Sequence, residues 1–177
     1  MKIVVITSSA HTRGTSNTLA GAFIKGATEA GHEVWRFDAS GKRIHACLGC
    51  DTCTNKQEGC TFHDDMGPLY EHILDCDAIV FASPVYYFNV SAKLKAVIDR
   101  LYAYNEHLKG CRKAAMLIAM GDESGDSANV PTAFFNALTK YMQWVNMGVI
   151  AAKGCEDRVA LMKTEYPMQA YELGKKF

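Results

Sequence analysis

Three stretches of this chain carry residues whose types and spacing could do chemistry. The first, Ser9-Ala10-His11-Thr12-Arg13-Gly14-Thr15-Ser16-Asn17-Thr18, lies between the apolar run Ile3-Val4-Val5-Ile6 and a helically spaced set, Leu19, Ala20, Phe23, Ile24 and Ala27. Hydroxyls and unbonded backbone N–H groups therefore collect where a strand hands over to a helix. Such a junction cradles an anion, because the first helical amides have no internal acceptor and the peptide dipoles favour negative charge there. His11 and Arg13 add charge to it, whereas an ordinary polar loop capped by Ser16 or Asn17 is the plainer reading of the same residues. Neither Gly-x-Gly-x-x-Gly nor Gly-Lys-Ser/Thr occurs here, which weakens a dinucleotide fold and excludes a nucleoside triphosphate loop. The phosphate of a mononucleotide remains.

The second stretch, Pro84-Val85-Tyr86-Tyr87-Phe88-Asn89, places rigid, aromatic and amide-bearing groups directly after the apolar run Ala78 to Ala82. Aromatic rings offer flat surface for stacking, and Asn89 with nearby backbone groups can hydrogen-bond a polar ring edge. Ring recognition here with phosphate recognition at the first stretch describes a flavin mononucleotide, FMN. The plainer alternative packs these rings into the core or a subunit contact. The third stretch holds Cys47, Cys50, Cys53 and Cys60. Four soft ligands in one loop suit zinc or an iron-sulfur cluster, and a free-thiol or structural loop is the alternative.

The elements that must position these stretches follow from periodicity. Four consecutive aliphatic residues at Ile3 to Ile6 suit a parallel strand covered on both faces. A first helix is expected from about Ser16 to Ala30, closed by Gly31, and His32 to Phe37 alternates as an edge or near-edge strand. Residues 38 to 63 show no clear period and contain the cysteines, and long irregular segments of this kind are usually functional. Asp64 and Asp65 precede the helical run Met66, Leu69, Tyr70, Ile73, Leu74, where capping is a better reading than metal binding. Further buried strands are read at Ala78 to Ser83 and Ala114 to Met120 and a short fifth strand at Gly148 to Ala152, with helices around Val90 to Leu101 and about Ala128 to Val145, and a last helix beginning near Glu165 with Pro167 in its first turn. Five parallel strands with helices on both faces predict a flavodoxin-like doubly wound α/β domain of order 2-1-3-4-5, spanning 1–177 with the cysteine-containing loop at about 38–63. Such sheets bind ligand beyond the carboxyl ends of their strands at the switch point. The loops Ser9 to Thr18, Pro84 to Asn89 and Gly121 to Asp126 are expected to converge there.

The 177 residues suit one domain, and Lys plus Arg balance Asp plus Glu at 19 each with no basic block, which argues against nucleic acid. No apolar run reaches membrane-spanning length, and the opening run is too short for a signal peptide, so a cytoplasmic protein is expected. Seven cysteines in such a chain imply thiols rather than a disulfide scaffold, with Cys76, Cys111 and Cys155 expected as small buried apolar residues.

The Ser9 to Thr18 loop, Cys47-x-x-Cys50-x-x-Cys53 with Gly59-Cys60 and Asp64-Asp65-Met66, Ser83-Pro84-Val85-Tyr86-Tyr87, and Lys93-Leu94-Lys95-Ala96-Val97-Ile98-Asp99-Arg100 together resemble the NADPH-dependent FMN reductase family of the flavodoxin-like superfamily. The resemblance covers nearly the whole chain. It implies a cytoplasmic FMN protein, a homodimer or homotetramer, that takes hydride from NAD(P)H and passes electrons to flavins, quinones or related small acceptors, with the flavin supplying the hydride chemistry. No catalytic acid or base is expected. Carried onto this chain, the phosphate loop corresponds to Ser9, His11, Arg13, Gly14, Ser16, Asn17 and Thr18; Ala10 stands where the family often has proline. The flavin ring would sit against Pro84, Val85, Tyr86, Tyr87, Phe88 and Asn89, with Gly121, Asp122 and Glu123 on its other side. Lys93, Asp99 and Arg100 are expected to be structural. Iron-sulfur flavoproteins are similar in the cysteine segment, so a 4Fe-4S cluster and a one-electron relay form the alternative there. A flavodoxin-type carrier would call for a strongly acidic face, against which the charge balance argues, and a non-catalytic nucleotide-binding module is the remaining alternative.

Overall fold

The apolar runs at Ile3 to Ile6, Ala78 to Ala82 and Ala114 to Met120 become the inner strands of a sheet, and the alternating run becomes one of its two edges. The computed structural model describes residues 1–56 and 59–177. In chain order these form β1 (Lys2–Thr7), α1 (Thr15–Glu29), β2 (Glu33–Asp38), α2 (Thr52–Lys56), α3 (Gly67–Leu74), β3 (Ala78–Tyr86), β4 (Asn89–Val90), α4 (Ala92–Arg100), α5 (Asn105–Leu108), β5 (Lys113–Ala119), α6 (Asn129–Met142), β6 (Val145–Ala152), α7 (Arg158–Met162) and α8 (Tyr166–Lys175). The sheet runs β2-β1-β3-β5-β6, with every neighbouring pair parallel, and β4 folds back antiparallel onto the end of β3. With that hairpin set aside, the order is the flavodoxin-like 2-1-3-4-5. The switch point lies between β1 and β3, which pair from Ile3–Ala78 to Thr7–Ala82.

Strand alternation divides the core into two layers. Val4, Ile6, Ile79, Phe81, Met116 and Ile118 pack on one face with Leu69, Leu94 and Phe135 from the helices. Ile3, Val5, Val80, Ala82, Ala115 and Leu117 face Leu19, Phe23 and Ala170 on the other. The second layer is rich in small residues, and α1 and α8 come into close backbone contact there: a Cβ at Gly26 would collide with the carbonyl of Tyr171, and one at Gly174 with that of Phe23. Pro167 stands in the first turn of α8, where its missing N–H is harmless.

The hairpin was not anticipated by the sequence reading. Tyr86 pairs with Asn89, so Tyr87 and Phe88 form the two-residue turn, with φ of 45° and 62°. Both lie in the left-handed region that two-residue hairpins demand and that bulky side chains rarely adopt.

A buried ion pair fastens the cysteine segment to this frame. Arg100, 1% exposed, donates from Nη1 to Asp64 Oδ2 at 2.8 Å and from Nη2 to Asp64 Oδ1 at 3.2 Å, and also from Nη1 to the His45 carbonyl at 3.1 Å. Asp64 further accepts the backbone N–H groups of His45 and Met66, and Asp65 accepts that of Arg43. Burial pushes the Asp64 carboxyl upward, but the Arg100 and backbone hydrogen bonds outweigh it and hold it below its ordinary value. Asp64 therefore braces the turn before α3 rather than capping it, since no side chain caps that helix, and Arg100 is structural. Tyr70 closes the cluster by donating to the Arg100 carbonyl, and burial raises its phenol to about 12.

Candidate functional site

The carboxyl ends of β1, β3 and β5 open into a cleft of about 700 Å3 lined by residues 9–15, 84–86, 119–121 and 155–158. A chain of buried serines ties together the strand ends around it. Ser91 Oγ donates to Ser8 Oγ at 2.8 Å, Ser8 Oγ donates to the Ala82 carbonyl, and the Ser91 N–H donates to Ser83 Oγ at 2.9 Å. Ser91 also caps α4, accepting the Leu94 N–H. The ends of β1 and β3 and the start of α4 are locked together by side chains with almost no exposure.

The loop after β1 folds around its own backbone. Gly14 N–H donates to the His11 carbonyl at 2.8 Å, and the His11 N–H donates to Ser9 Oγ at 3.2 Å. Asn17 Nδ2 donates to the carbonyls of His11 and Ser9, while its Oδ1 accepts Arg36 Nη2 at 2.9 Å. Thr18 Oγ1 donates to the Gly14 carbonyl. Asn17 and Thr18 therefore shape the loop with side chains already committed inside it. Ser9, His11, Arg13 and Gly14 line the cleft directly.

FMN, which the resemblance implies, meets two features that fit its phosphate. Ser16 Oγ is buried without a hydrogen-bond partner, and the N–H groups of Thr15, Ser16 and Asn17 meet no acceptor among the described residues. No side chain caps α1, which has no acidic residue in its first turn. The backbone also approaches closely at Gly14, where a Cβ would sit 2.9 Å from the His11 carbonyl oxygen and 3.3 Å from Ser9 Oγ. A multiply accepting anion satisfies such a set of donors.

The remaining expected residues divide. Pro84, Val85, Tyr86 and Gly121 line the first cleft. Tyr87, Phe88 and Asp122 line an adjoining one. Asn89 turns back, its Oδ1 accepting the Val90 N–H, and Glu123 lines a separate groove with Lys153 and Gly154. Asp122 organises its own loop: the Ser127 backbone N–H and the Ser124 hydroxyl hold its carboxyl far below the usual carboxylate range. The sequence reading passed over Cys155, Glu156, Asp157 and Arg158, which form the far wall beyond β6. Asp157 caps α7 by accepting the Ala160 N–H, and burial raises the Cys155 thiol.

A model of the NADPH-dependent FMN reductase family matches residues 1–154. The chain belongs to this family. An iron-sulfur flavoprotein of Archaeoglobus fulgidus is 37% identical over 123 residues, covering 68% of this chain and 56% of the relative. One from Methanocaldococcus jannaschii is 35% identical, covering 71% and 64%. The chain thus spans less than two thirds of the length of these curated relatives. Among solved structures, an NAD(P)H:quinone oxidoreductase from Methanothermobacter marburgensis superposes with a TM-score of 0.79 at 20% identity, covering 99% of this chain and 95% of its own; it shows the shared fold.

The cysteine segment has a different character from the family's cleft. Cys47 and Cys50 are exposed and Cys53 and Cys60 half-buried. Burial raises the Cys53 thiol, with Cys60 and Cys47 near enough to act on it electrostatically, whereas the Thr52 hydroxyl lowers that of Cys50. Among the described residues no three His, Cys, Asp or Glu side chains converge as a metal-holding group. Of the scattered cysteines, Cys76 and Cys155 are buried as expected, but Cys111 is exposed. No helix among the described residues is long and apolar enough to cross a membrane.

Proposed function

We propose that this protein is an FMN-dependent NAD(P)H oxidoreductase passing electrons to quinones, flavins or related small acceptors. The observation that carries the reading is the set of unanswered donors at the start of α1, with Ser16 Oγ buried and unpartnered directly after the residues 9–15 that line the switch-point cleft. Ser9, Gly14, Ser16 and the amides of residues 15–17 hold the phosphate, and His11 and Arg13 add positive charge at its rim. Pro84, Val85, Tyr86 and Gly121 bound the space for the ring. FMN supplies the hydride chemistry when bound. The protein's own work is to bind, orient and exclude water, and no side chain is required to move a proton. We extend the reading to 1–177 as one FMN-binding domain, and to a cytoplasmic homodimer or homotetramer, as family membership supports.

A second reading, an electron relay with a 4Fe-4S cluster on Cys47, Cys50, Cys53 and Cys60, is favoured by their spacing and by the iron-sulfur flavoproteins among the relatives. Among the described residues the thiols are not drawn together as a metal-holding group, which favours the first reading. Both readings are tested by an absorption spectrum of protein purified without oxygen, before and after NADPH or NADH, with iron assayed on the same sample. Flavin bands that bleach without iron establish the reductase; about four iron atoms per chain establish the relay. Protein that takes up no flavin refutes both.

A further inference from the structure

Strand alternation puts Arg36 on the face of β2 that carries Val34, the face on which α1 packs. From there its guanidinium reaches over the end of β1. Nε and Nη2 each donate to Thr7 Oγ1 at 3.3 Å, and Nη2 also donates to Asn17 Oδ1 at 2.9 Å. No carboxylate lies within ion-pair distance of Arg36 among the described residues. Asp38, two positions on and on the same face, turns its Oδ1 to the N–H and hydroxyl of Ser40 instead. A cation bonded to a side chain in the first turn of a helix has the wrong sign for the peptide dipoles, and α1 has no acidic residue there to offset it. For folding alone this is a poor place for an arginine. Beside a bound anion it is a good one.

Asn17 decides what the contact does. It is 5% exposed and stands three residues after Gly14, the position from which a capping-box side chain reaches back to the start of its helix. Here both ends of the amide are committed elsewhere: Nδ2 donates to the carbonyls of His11 at 2.9 Å and Ser9 at 3.4 Å, and Oδ1 accepts Arg36. Without Arg36 that oxygen would be a buried acceptor lacking its partner, and the unanswered N–H groups of residues 15–17 are the donors in its own turn of chain. We propose that Arg36 is a positioning residue for the phosphate site, holding Asn17 Oδ1 so that the helix-start donors stay open and the amide stays aimed at the two carbonyls that fold the loop. The inference rests on the reading that this loop receives the phosphate of FMN. Arg36 acts through Asn17 and reaches the loop from a different strand.

The test measures dissociation constants of FMN and riboflavin, by flavin fluorescence, for the 177-residue chain freed of bound flavin. Their ratio reads the phosphate alone, whereas damage to the fold weakens both ligands together. Arg36→Met is expected to weaken FMN about tenfold, the scale of one hydrogen bond to a charged group, and to leave riboflavin unchanged. Because Arg36 works through Asn17, the same substitution in an Asn17→Ala background is expected to change the FMN constant by less than about twofold. Asn17→Ser takes the place of Asn17→Ala if the alanine variant does not fold. A tenfold loss in both backgrounds overturns the proposal, because the guanidinium then acts on the phosphate by itself. A ratio that does not fall in Arg36→Met overturns it as well, and so does an equal loss for both flavins, which marks a structural role alone. Wild-type protein that binds FMN no more tightly than riboflavin defeats the phosphate reading itself, before any variant is compared.

Discussion

The loop after β1 and the cysteine segment are both irregular, polar and rich in candidate chemistry, yet they are held in opposite ways. In the first, backbone and short side chains bond to one another within about one turn of chain, through Gly14 to His11, His11 to Ser9 and Asn17 to His11. Its unanswered groups all come from the start of one helix, directly after the residues that line the cleft. In the second, the fastening is a long-range ion pair between Asp64 and Arg100, 36 positions apart, and its thiols are largely at the surface. The first is preorganised for a ligand by local geometry, whereas the second depends on the core for its place. Preorganisation of donors is what converts a polar loop into a binding site.

The sharpest way to break this contrast is to remove one member of the ion pair. Arg100→Met leaves the Asp64 carboxylate buried and uncompensated, and a loss of about 3–5 kcal/mol is expected in urea denaturation. FMN affinity of the molecules that remain folded should change little, since neither residue lines the cleft. Replacing both, as Asp64→Leu with Arg100→Met, is expected to recover much of the loss, because the desolvation of two charges is then removed together.

The complementary change acts on the other region. Ser16→Ala removes a hydroxyl with no partner in the protein, so stability should hold or rise slightly, while FMN affinity falls by roughly 10- to 100-fold if the hydroxyl serves a charged phosphate. Fluorescence quenching of FMN checks the second expectation and thermal unfolding the first.

Acid sharpens the comparison further. Asp64 has a folded pKa below its unfolded one, so its contribution is fully present above about pH 4 and is lost as pH falls through the folded value. Stability is therefore expected to be level from pH 7 to about pH 5 as far as this group is concerned. Below that range the Asp64→Asn variant should converge on the parent in denaturant midpoint.

The smallest effect concerns reactivity within the cysteine segment. The Thr52 hydroxyl lowers the Cys50 thiol and burial raises that of Cys53, so limited alkylation near neutral pH should mark Cys50 first. Thr52→Val should slow that labelling by a few-fold, read by mass spectrometry of the digested protein.

Much of the cleft end of the sheet was legible because its signals are local. Ile3 to Ile6 and Ala78 to Ala82 are apolar on both faces and became neighbouring inner strands, and the loops that follow them meet where the topology requires. The role of Asn17 was less legible, since its amide answers carbonyls inside the loop and Arg36 on the next strand. Tyr87 and Phe88 hid the hairpin because the usual Asn-Gly signal of such a turn is missing. The wall from Cys155 to Arg158 escaped notice because nothing in its composition sets it apart, and only the position of β6 in the sheet brings it to the cleft. The partnership of Asp64 with Arg100 joins the start of α3 to the end of α4, a contact that exists only once both helices have packed.

The central claim is that the loop after β1 is a phosphate site, and the most direct measurement compares the affinities of FMN and riboflavin for the same protein, stripped of flavin. The two ligands share a ring and ribityl chain and differ in the phosphate alone. Binding of FMN at least 100-fold tighter than riboflavin, with most of that ratio lost in Ser16→Ala, is the result expected for a dianion received by several preorganised donors, at roughly 1.5–3 kcal/mol for each charged hydrogen bond. Equal affinities for the two would contradict it.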